Sequence, residues 1–192
     1  MPKACLEPTQ ISLQLATREQ ESTLANLLEL YMHDMSEVFP LRISDEGRFG
    51  YAWLPTYWAE PDQRFAYLIR SESAGLLGFV LATVGSPVSY DPECLDVADF
   101  FVLRRFRRSR VGTTAIQMLW DQRPGHWVVR VSEGNQEGSS FWPNVVAAYS
   151  GGKFTEKRTV GRHLFWRVDE LDSRRRRERP DVAVGASATT ST

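Results

Sequence analysis

One segment constrains this chain more than any other, because it joins a strand pattern to a helix pattern through a loop dense in arginine. Residues 97–103, VADFFVL, are typical of a buried strand, and apolar residues recur at helical spacing from Val111 onward. Between these two patterns, five of the seven residues 104–110 are arginine. A helix N-terminus offers unpaired backbone N–H groups and a partial positive charge, and guanidinium groups add donors suited to phosphate oxygens. The segment therefore predicts a polyphosphate-binding loop between a strand and a helix.

Hydrophobic periodicity in the remainder of the chain alternates between strand and helix. The predicted strands are residues 11–15, 64–70, 75–84, 97–103, 127–131, 154–160 and 163–168. The predicted helices are residues 21–36, residues 56–59, a third from 111 to before the Arg-Pro-Gly at 123–125, and a fourth over 141–149. This order, β-α-α-β-β-β-α-β-α-β-β, predicts an α/β fold with a mixed, mostly antiparallel central sheet flanked by helices on both faces.

The length of 192 residues, 42% of them hydrophobic, fits one domain with a single core, which we place at residues 1–172. Residues 173–192 begin with a second arginine run and end in small polar residues without an aromatic, so we expect a disordered tail. The longest apolar stretch, residues 76–84, is too short to cross a bilayer. No apolar segment follows Lys3, so we expect no secretory signal and a cytoplasmic protein.

Composition and spacing exclude several kinds of site. Cys5 and Cys94 suggest neither a disulfide framework nor a thiol metal site, and the three histidines match no metal-ligand spacing, so we expect no metal. Clustered arginine is a footprint of nucleic-acid binding, but lysine occurs only three times and the remainder of the chain is acidic, which argues against a nucleic-acid partner. A nucleic-acid-binding module that uses residues 104–110 nevertheless stays an alternative.

Two blocks resemble motifs of the GCN5-related N-acetyltransferase (GNAT) superfamily. The run from Arg107 to Gly112, RRSRVG, is similar to its loop pattern of Gln or Arg, two variable residues, Gly, a variable residue, and Gly or Ala. Asn135, Gly138 and Phe141 with Trp142 resemble the pattern N-x-x-A-x-x-F-Y. Within the superfamily the chain is most similar to a group of uncharacterised bacterial predicted acetyltransferases. The resemblance implies the acyl-CoA N-acyltransferase fold.

The resemblance also implies acetyl-CoA as a co-substrate, without a metal. Its pyrophosphate would lie on the loop and the helix N-terminus, its pantetheine arm along the preceding strand, and its thiol end beside the second block. The implied cofactor-binding residues are Phe101, Val102, Leu103, Arg107, Arg108, Ser109, Arg110, Val111, Gly112, Thr113, Asn135, Phe141 and Trp142. Two positions depart from the pattern: Arg110 stands at the first glycine, where a positive φ would cost a non-glycine residue free energy, and Trp142 stands at the tyrosine.

Acetyl transfer to an amine needs a base for the amine and a proton for the leaving thiolate. Asp99 lies among apolar neighbours of the strand, where desolvation raises the pKa of a carboxyl, so we predict that Asp99 is the base; a purely structural carboxylate is the alternative. An indole cannot supply a proton near neutral pH. Tyr149, seven residues after Trp142 on the same predicted helix face, is the candidate acid, with a core position as its alternative.

The acceptor pocket is expected between the first helices and the sheet. Its candidate wall residues are Tyr31, His33, Asp34, Glu37, Tyr57 and Trp58. Carboxylates beside aromatic rings suit a cationic amine, on a small molecule or a peptide; the alternative is that the aromatic groups are core and the carboxylates a solvated face. We therefore predict an N-acetyltransferase that works by direct transfer to a primary amine. A catalytically impaired acyl-CoA-binding protein is a further alternative, and a homodimer is left open.

Overall fold

The computed structural model describes residues 10–160 and 165–174, and within them the predicted order of strands and helices is confirmed. The strands are β1 (Ile11–Leu15), β2 (Arg64–Ser71), β3 (Gly75–Val84), β4 (Leu95–Val102), β5 (His126–Ser132), β6 (Phe154–Val160) and β7 (Phe165–Asp172). The helices are α1 (Glu21–Met35), α2 (Thr56–Ala59), α3 (Val111–Gln122) and α4 (Gln136–Ser150), with short 3-10 turns at Arg18–Gln20 and Arg104–Phe106. The predicted tail lies, from residue 175 onward, outside the described residues, as do Cys5 and His163.

All seven strands form one sheet in the order β1-β2-β3-β4-β5-β7-β6. Every neighbouring pair is antiparallel except β4 and β5, which are parallel, so the prediction of a mixed, mostly antiparallel sheet is confirmed. Helices cover both faces. Helices α3 and α4 pack on one face around Trp120 and Trp127, and α1 and α2 pack on the other around Leu24 and Phe79.

The two parallel strands separate after a short contact. They pair only at Leu95 with Trp127, Asp96 with Val128 and Val97 with Val129. Beyond Val97, β4 continues to pair with β3 as far as Val102 but has no strand pairing on its β5 side in the described part of the chain. We call the resulting gap between residues 98–102 and residues 130–132 the wedge.

A β-bulge in β4 decides which side chains reach the wedge. The register with β3 shifts at this point, because Leu81 pairs with Asp99 and Ala82 pairs with Val97. Residues three apart in a regular strand lie on opposite faces, and one extra residue returns them to the same face. Asp96 and Asp99 consequently share the face that α1 covers.

Candidate active site

The loop between β4 and α3 has a backbone that its sequence does not favour. Arg108 and Arg110 adopt positive φ values of 61° and 65°. A left-handed conformation costs a non-glycine residue about 1–2 kcal/mol, so this loop stores strain that its surroundings must hold. Arg110 is the N-cap of α3. The motif position that the superfamily pattern gives to glycine therefore does require a positive φ here.

The start of α3 is shaped to bind an anion. Its first helical hydrogen bond runs from the Thr114 amide to the Arg110 carbonyl, at 2.9 Å. The amides of residues 111–113 precede that bond, so they have no acceptor within the helix. Arg108 and Arg110 are exposed beside them. Together, these donors and the helix dipole favour a phosphate group.

Two other arginines of the loop bind protein groups instead. Arg107 donates from Nε to the Val102 carbonyl at 2.9 Å, from Nη1 to Glu137 at 2.8 Å and from Nη2 to Asp34. Arg104 donates to Asp34 Oδ1 from Nε at 3.1 Å and from Nη2 at 2.7 Å. The arginine cluster is thus divided: Arg104 and Arg107 tie the loop to α1, β4 and α4, while Arg108 and Arg110 remain at the helix N-terminus.

An open pocket of about 590 Å³ lies at the mouth of the wedge, where the loops that follow β4 and β5 face the end of α1. It is lined by Asp34, Met35, Glu37, Val38, Arg104, Arg107, Arg108, Gly134, Asn135, Gln136 and Glu137. The pocket therefore brings two predicted acceptor-wall residues, Asp34 and Glu37, beside three predicted cofactor-binding residues, Arg107, Arg108 and Asn135.

Asp99 lies deeper, on the α1 side of β4, within a group of tyrosines. The Tyr51 hydroxyl donates a hydrogen bond to Asp99 Oδ2, and the Tyr31 hydroxyl also hydrogen-bonds the carboxyl. Burial raises the pKa of the Asp99 carboxyl above its ordinary value, although the tyrosine hydrogen bonds and Arg130 oppose the shift. Burial and the neighbouring Asp99 charge also raise the pKa of Tyr31 and Tyr51, so both hydroxyls stay protonated donors.

The position of Tyr51 depends on a carboxylate of α1. Glu29 accepts hydrogen bonds from the backbone amides of Phe49 at 2.7 Å and Gly50 at 3.0 Å, and Gly50 has a φ of 71°. This fixes the loop before α2 so that Tyr51 points to Asp99, and Tyr57 of α2 hydrogen-bonds Tyr51. The sequence pattern predicts Tyr31 and Tyr57 as site residues but not Tyr51 or Glu29. The only sequence feature that points to Tyr51 is the Gly-Tyr pair in the aromatic-rich stretch 47–61.

A buried ion pair crosses the base of the wedge and was not predicted from the sequence. Arg130 of β5 donates to both carboxylate oxygens of Asp96 in β4, at 2.8 and 3.1 Å, and Asp96 is fully buried. Asp96 lies within the paired register of the two strands, and Arg130 directly follows Val129, the last paired residue of β5. Its charges act on Asp99 in opposite directions, since Arg130 lowers and Asp96 raises the pKa of Asp99.

The second sequence block packs the start of α4 against the loop and β4. Asn135 is the N-cap of α4 and accepts a hydrogen bond from the Gly138 amide at 2.8 Å, and a Cβ at Gly138 would lie only 2.9 Å from the Asn135 side chain. Phe141 stacks on Phe100 with ring centroids 5.5 Å apart. Trp142 is buried and meets the same Phe100 ring edge-on at 5.3 Å.

Gly112 explains why the loop pattern ends on a small residue. A Cβ at this position would lie 3.2 Å from the Phe100 ring and 3.3 Å from the Phe141 ring. A side chain at residue 112 would therefore have to displace the aromatic pair by a few tenths of an ångström, which favours a small residue there.

The structure does not bring Tyr149 to Asp99. Its hydroxyl donates to Asp121 at 2.7 Å and its ring packs on Trp120, at the C-terminal end of α3 and on the opposite face of the sheet. Two of the predicted acceptor-wall residues also lie apart from Asp99. His33 is exposed and meets Phe49 edge-on, while the Trp58 ring lies under the Arg18 guanidinium.

Residues 10–160 and 165–174 contain no group of three His, Cys, Asp or Glu side chains that could hold a metal ion. Among the same residues, none of the helices has the length and hydropathy needed to cross a membrane.

Comparison with known proteins finds similarity in fold but not in sequence. No protein-family profile matches the chain, and no curated protein matches it in sequence. Among solved structures, the spermidine N-acetyltransferase of Vibrio cholerae in complex with CoA and spermine superposes with a TM-score of 0.59 at 15% identity, over 88% of this chain and 99% of that chain. The spermidine/spermine N-acetyltransferase SpeG of V. cholerae in complex with manganese ions also gives a TM-score of 0.59, at 12% identity, over 90% and 99%. A proposed GNAT-family acetyltransferase of Desulfovibrio desulfuricans gives 0.55 at 7% identity, over 85% and 99%. The splayed parallel strands, the arginine-rich loop at the start of α3 and these superpositions agree: the chain has the fold of the GCN5-related N-acetyltransferase superfamily.

Proposed function

We propose that this protein is an acetyl-CoA-dependent N-acetyltransferase that moves the acetyl group directly to a primary amine. The observation that carries the proposal is the placement of two sites on one strand. Asp99, a carboxylate with a raised pKa, and Val102, which leads into the anion-binding loop, lie three residues apart on β4 beside the wedge. A thioester bound by its phosphates at the loop would reach the carboxylate along this strand.

Acetyl-CoA would use the loop and the wedge together. The amides of residues 111–113, with Arg108 and Arg110, would bind the pyrophosphate. The backbone of residues 101–103 would run beside the pantetheine arm, because β4 has lost its β5 partner there. Asn135, Phe141 and Trp142 would border the thiol end, where Phe141 and Trp142 already pack on Phe100.

The chemistry would centre on Asp99. The bound ammonium first releases a proton to solvent, because only the neutral amine has a lone pair. Its nitrogen then attacks the thioester carbonyl carbon, the N–C bond forms, the C–S bond breaks, and one proton passes from nitrogen to sulfur. Asp99 takes the proton from nitrogen, and its raised pKa makes it a stronger base than an exposed aspartate. The same carboxyl, with the Tyr31 and Tyr51 hydroxyls bound to it, then returns a proton to the thiolate. We assign this second step to the Asp99 group and not to Tyr149, whose hydroxyl is on Asp121.

Direct transfer is favoured over a covalent acetyl-enzyme. The one cysteine among the described residues, Cys94, is fully buried among Val128 and Val168, and burial raises the pKa of its thiol. A nucleophilic cysteine needs an accessible thiolate, so Cys94 is unsuited to carry the acetyl group.

The acceptor would be a cationic amine, on a small molecule or a peptide. Tyr31, Tyr51 and Tyr57 surround Asp99, and Glu37 lies at the pocket mouth. Arg104 and Arg107, which also line the mouth, are paired with Asp34. The V. cholerae neighbours are spermidine N-acetyltransferases, and spermidine is an amine of this class.

Thermal shift followed by a thiol-release assay tests the proposal. Acetyl-CoA or CoA at a hundred times its dissociation constant should stabilise the protein by about 2.7 kcal/mol, while a short oligonucleotide should not. Free thiol should then appear with acetyl-CoA and one or more members of a panel of primary amines. A stabilising, salt-sensitive oligonucleotide complex without a CoA shift would favour the nucleic-acid module. A CoA shift without thiol release from any amine would favour the impaired acyl-CoA-binding protein.

A further inference from the structure

Asp34 occupies a position that helix stability does not explain. It lies in the last turn of α1, where the helix dipole presents its negative end and a carboxylate is unfavourable. Its side chain is only 12% exposed. Burial raises the pKa of a carboxyl, but the hydrogen bonds and charges of Arg104 and Arg107 outweigh it and hold the pKa of Asp34 below its ordinary value. Asp34 is therefore ionised at neutral pH and bound by two arginines.

Those arginines belong to the strained loop. Arg104 donates twice to Asp34 Oδ1, and Arg107 donates to Asp34 Oδ2. Arg107 also caps the Val102 carbonyl at the end of β4. The two left-handed residues, Arg108 and Arg110, follow directly. Strained backbone persists only where its surroundings over-determine it, and Asp34 holds the beginning of this loop from another element.

We propose that Asp34 is a positioning residue: through Arg104 and Arg107 it holds the β4–α3 loop in the left-handed conformation that presents the α3 amides to the phosphates of acetyl-CoA. The role rests on the proposed function, and it differs from the acceptor-wall role that the sequence predicts for Asp34. Both carboxylate oxygens are already occupied by arginine, so the group is suited to organise the loop and poorly suited to bind a cationic amine.

Amide hydrogen exchange in the unliganded protein tests the positioning step by itself. The variant Asp34→Asn should speed the exchange of the Phe106 and Thr114 amides, whose hydrogen bonds to Leu103 and Arg110 lie within and directly after the loop. The variant Glu21→Gln is the matched control, because Glu21 is at the other end of α1 and its ion pair is with the exposed Arg18. Unchanged exchange of both amides in Asp34→Asn would overturn the inference, whatever the protein binds.

Calorimetric titration with CoA tests the consequence for binding. Asp34→Asn should weaken CoA binding about tenfold, equivalent to about 1.4 kcal/mol, and Glu21→Gln should leave it unchanged. In a background of Arg110→Gly, where residue 110 adopts a positive φ without strain, Asp34→Asn should reduce CoA affinity by a smaller factor than in the parent protein. The Michaelis constant for the amine should not change, since only the cofactor loop is affected.

Two failures remain distinct. If the parent protein does not bind CoA, the proposed function fails, and the exchange rates alone decide whether Asp34 orders the loop. The positioning role is wrong if the parent binds CoA and Asp34→Asn weakens CoA binding equally in the parent and in the Arg110→Gly background. It is also wrong if Asp34→Asn raises the Michaelis constant for the amine and leaves CoA binding unchanged.

Discussion

Two carboxylates on the α1 side of the wedge have opposite surroundings. Asp99 is enclosed by the hydroxyls of Tyr31 and Tyr51, and burial raises its pKa. Asp34 is enclosed by the guanidinium groups of Arg104 and Arg107, which lower its pKa in spite of burial. A carboxylate with a raised pKa is a stronger base and suits proton transfer, while a carboxylate with a lowered pKa stays charged and suits holding other charges in place.

The contrast shows how one fold can give two carboxylates different roles, one suited to proton transfer and one suited to holding a loop. The tyrosine hydroxyls lower the pKa of Asp99 by less than its burial raises it, whereas the guanidinium groups of Arg104 and Arg107 outweigh the burial of Asp34. The structure places the first kind of partner beside the strand that would lie along the thioester and the second kind beside the loop that would bind its phosphates. Substitutions on either side should therefore have separable effects, which are largest at the carboxylate that would move the proton.

The largest effect is expected from Asp99→Asn. Removing a general base typically costs about 10² to 10⁴ in rate, so turnover of acetyl-CoA with amine should fall within that range while CoA binding is kept. Steady-state thiol release and a CoA titration measure the two quantities. A turnover within a factor of about two of the parent, compared with a 10²-fold or larger loss for a true base, would remove Asp99 from the mechanism.

The same variant should not lose stability. Between the ordinary aspartate pKa and its raised folded value, the folded state holds a proton that the unfolded state has released, so ionisation of Asp99 makes stability fall as pH rises through that window. Asn cannot ionise. The midpoint of thermal unfolding at neutral pH should therefore be equal to or higher than that of the parent, and a marked decrease would mean that Asp99 is a structural carboxylate.

Asp34→Asn should behave in the opposite way. A lowered folded pKa contributes stability above the ordinary aspartate pKa, and this contribution is lost as pH falls through the folded value. Arg107 is only 24% exposed and would lose an ionic partner, so we expect the free energy of unfolding at neutral pH to drop by about 1–2 kcal/mol. Urea unfolding over a pH series measures it; the difference from the parent should shrink below about pH 4. A difference independent of pH would contradict the ionic origin.

The sequence predicts the elements of the fold well, because periodicity is a local property. β3 and α1 end within one residue of their predicted limits, whereas α4 begins five residues before its predicted start at 141 and β7 ends four residues after its predicted end at 168. The separation of β4 from β5 is not a local property. It depends on pairing that stops after Val97, although the pattern VADFFVL continues unchanged to Leu103.

The candidate site is predicted in part for the same reason. Asp99 stands out because its immediate neighbours are apolar, and the loop 107–112 stands out by its spacing. Tyr51 does not, because Glu29, twenty residues before Phe49, fixes the loop that places Tyr51 on Asp99. Asp34 and Arg107 are both named from the sequence but in separate roles, since nothing local indicates that residues 73 positions apart bind each other.

Tyr51→Phe should shift the pH dependence of catalysis more than it changes its maximum. The Tyr51 hydrogen bond lowers the pKa of Asp99, so its removal should raise that pKa further and move the acidic limb of kcat/KM to higher pH. Rate profiles from about pH 5 to 9 measure the limb. Tyr149→Phe, measured in the same assay, tests the sequence-based assignment of the acid. If the acidic limb or the maximum rate changes in Tyr149→Phe and not in Tyr51→Phe, then Tyr149, on the opposite face of the sheet, takes part in the proton transfer and the assignment to Asp99 and its tyrosines is wrong.

The smallest effect is expected from Glu137→Gln, which removes the other carboxylate bound to Arg107. Glu137 is 70% exposed and makes one hydrogen bond to the guanidinium, at 2.8 Å, whereas Asp34 is 12% exposed and binds two arginines. An exposed ion pair contributes about 0–1 kcal/mol and is screened by salt, so CoA affinity should change less than twofold and the change should vanish at about 1 M NaCl. Calorimetric titration at low and high salt measures it. Both variants leave Arg107 intact, so the difference between their CoA affinities measures which carboxylate partner of Arg107 matters more. An effect of Glu137→Gln equal to that of Asp34→Asn would mean that α4 holds the loop as firmly as α1 does.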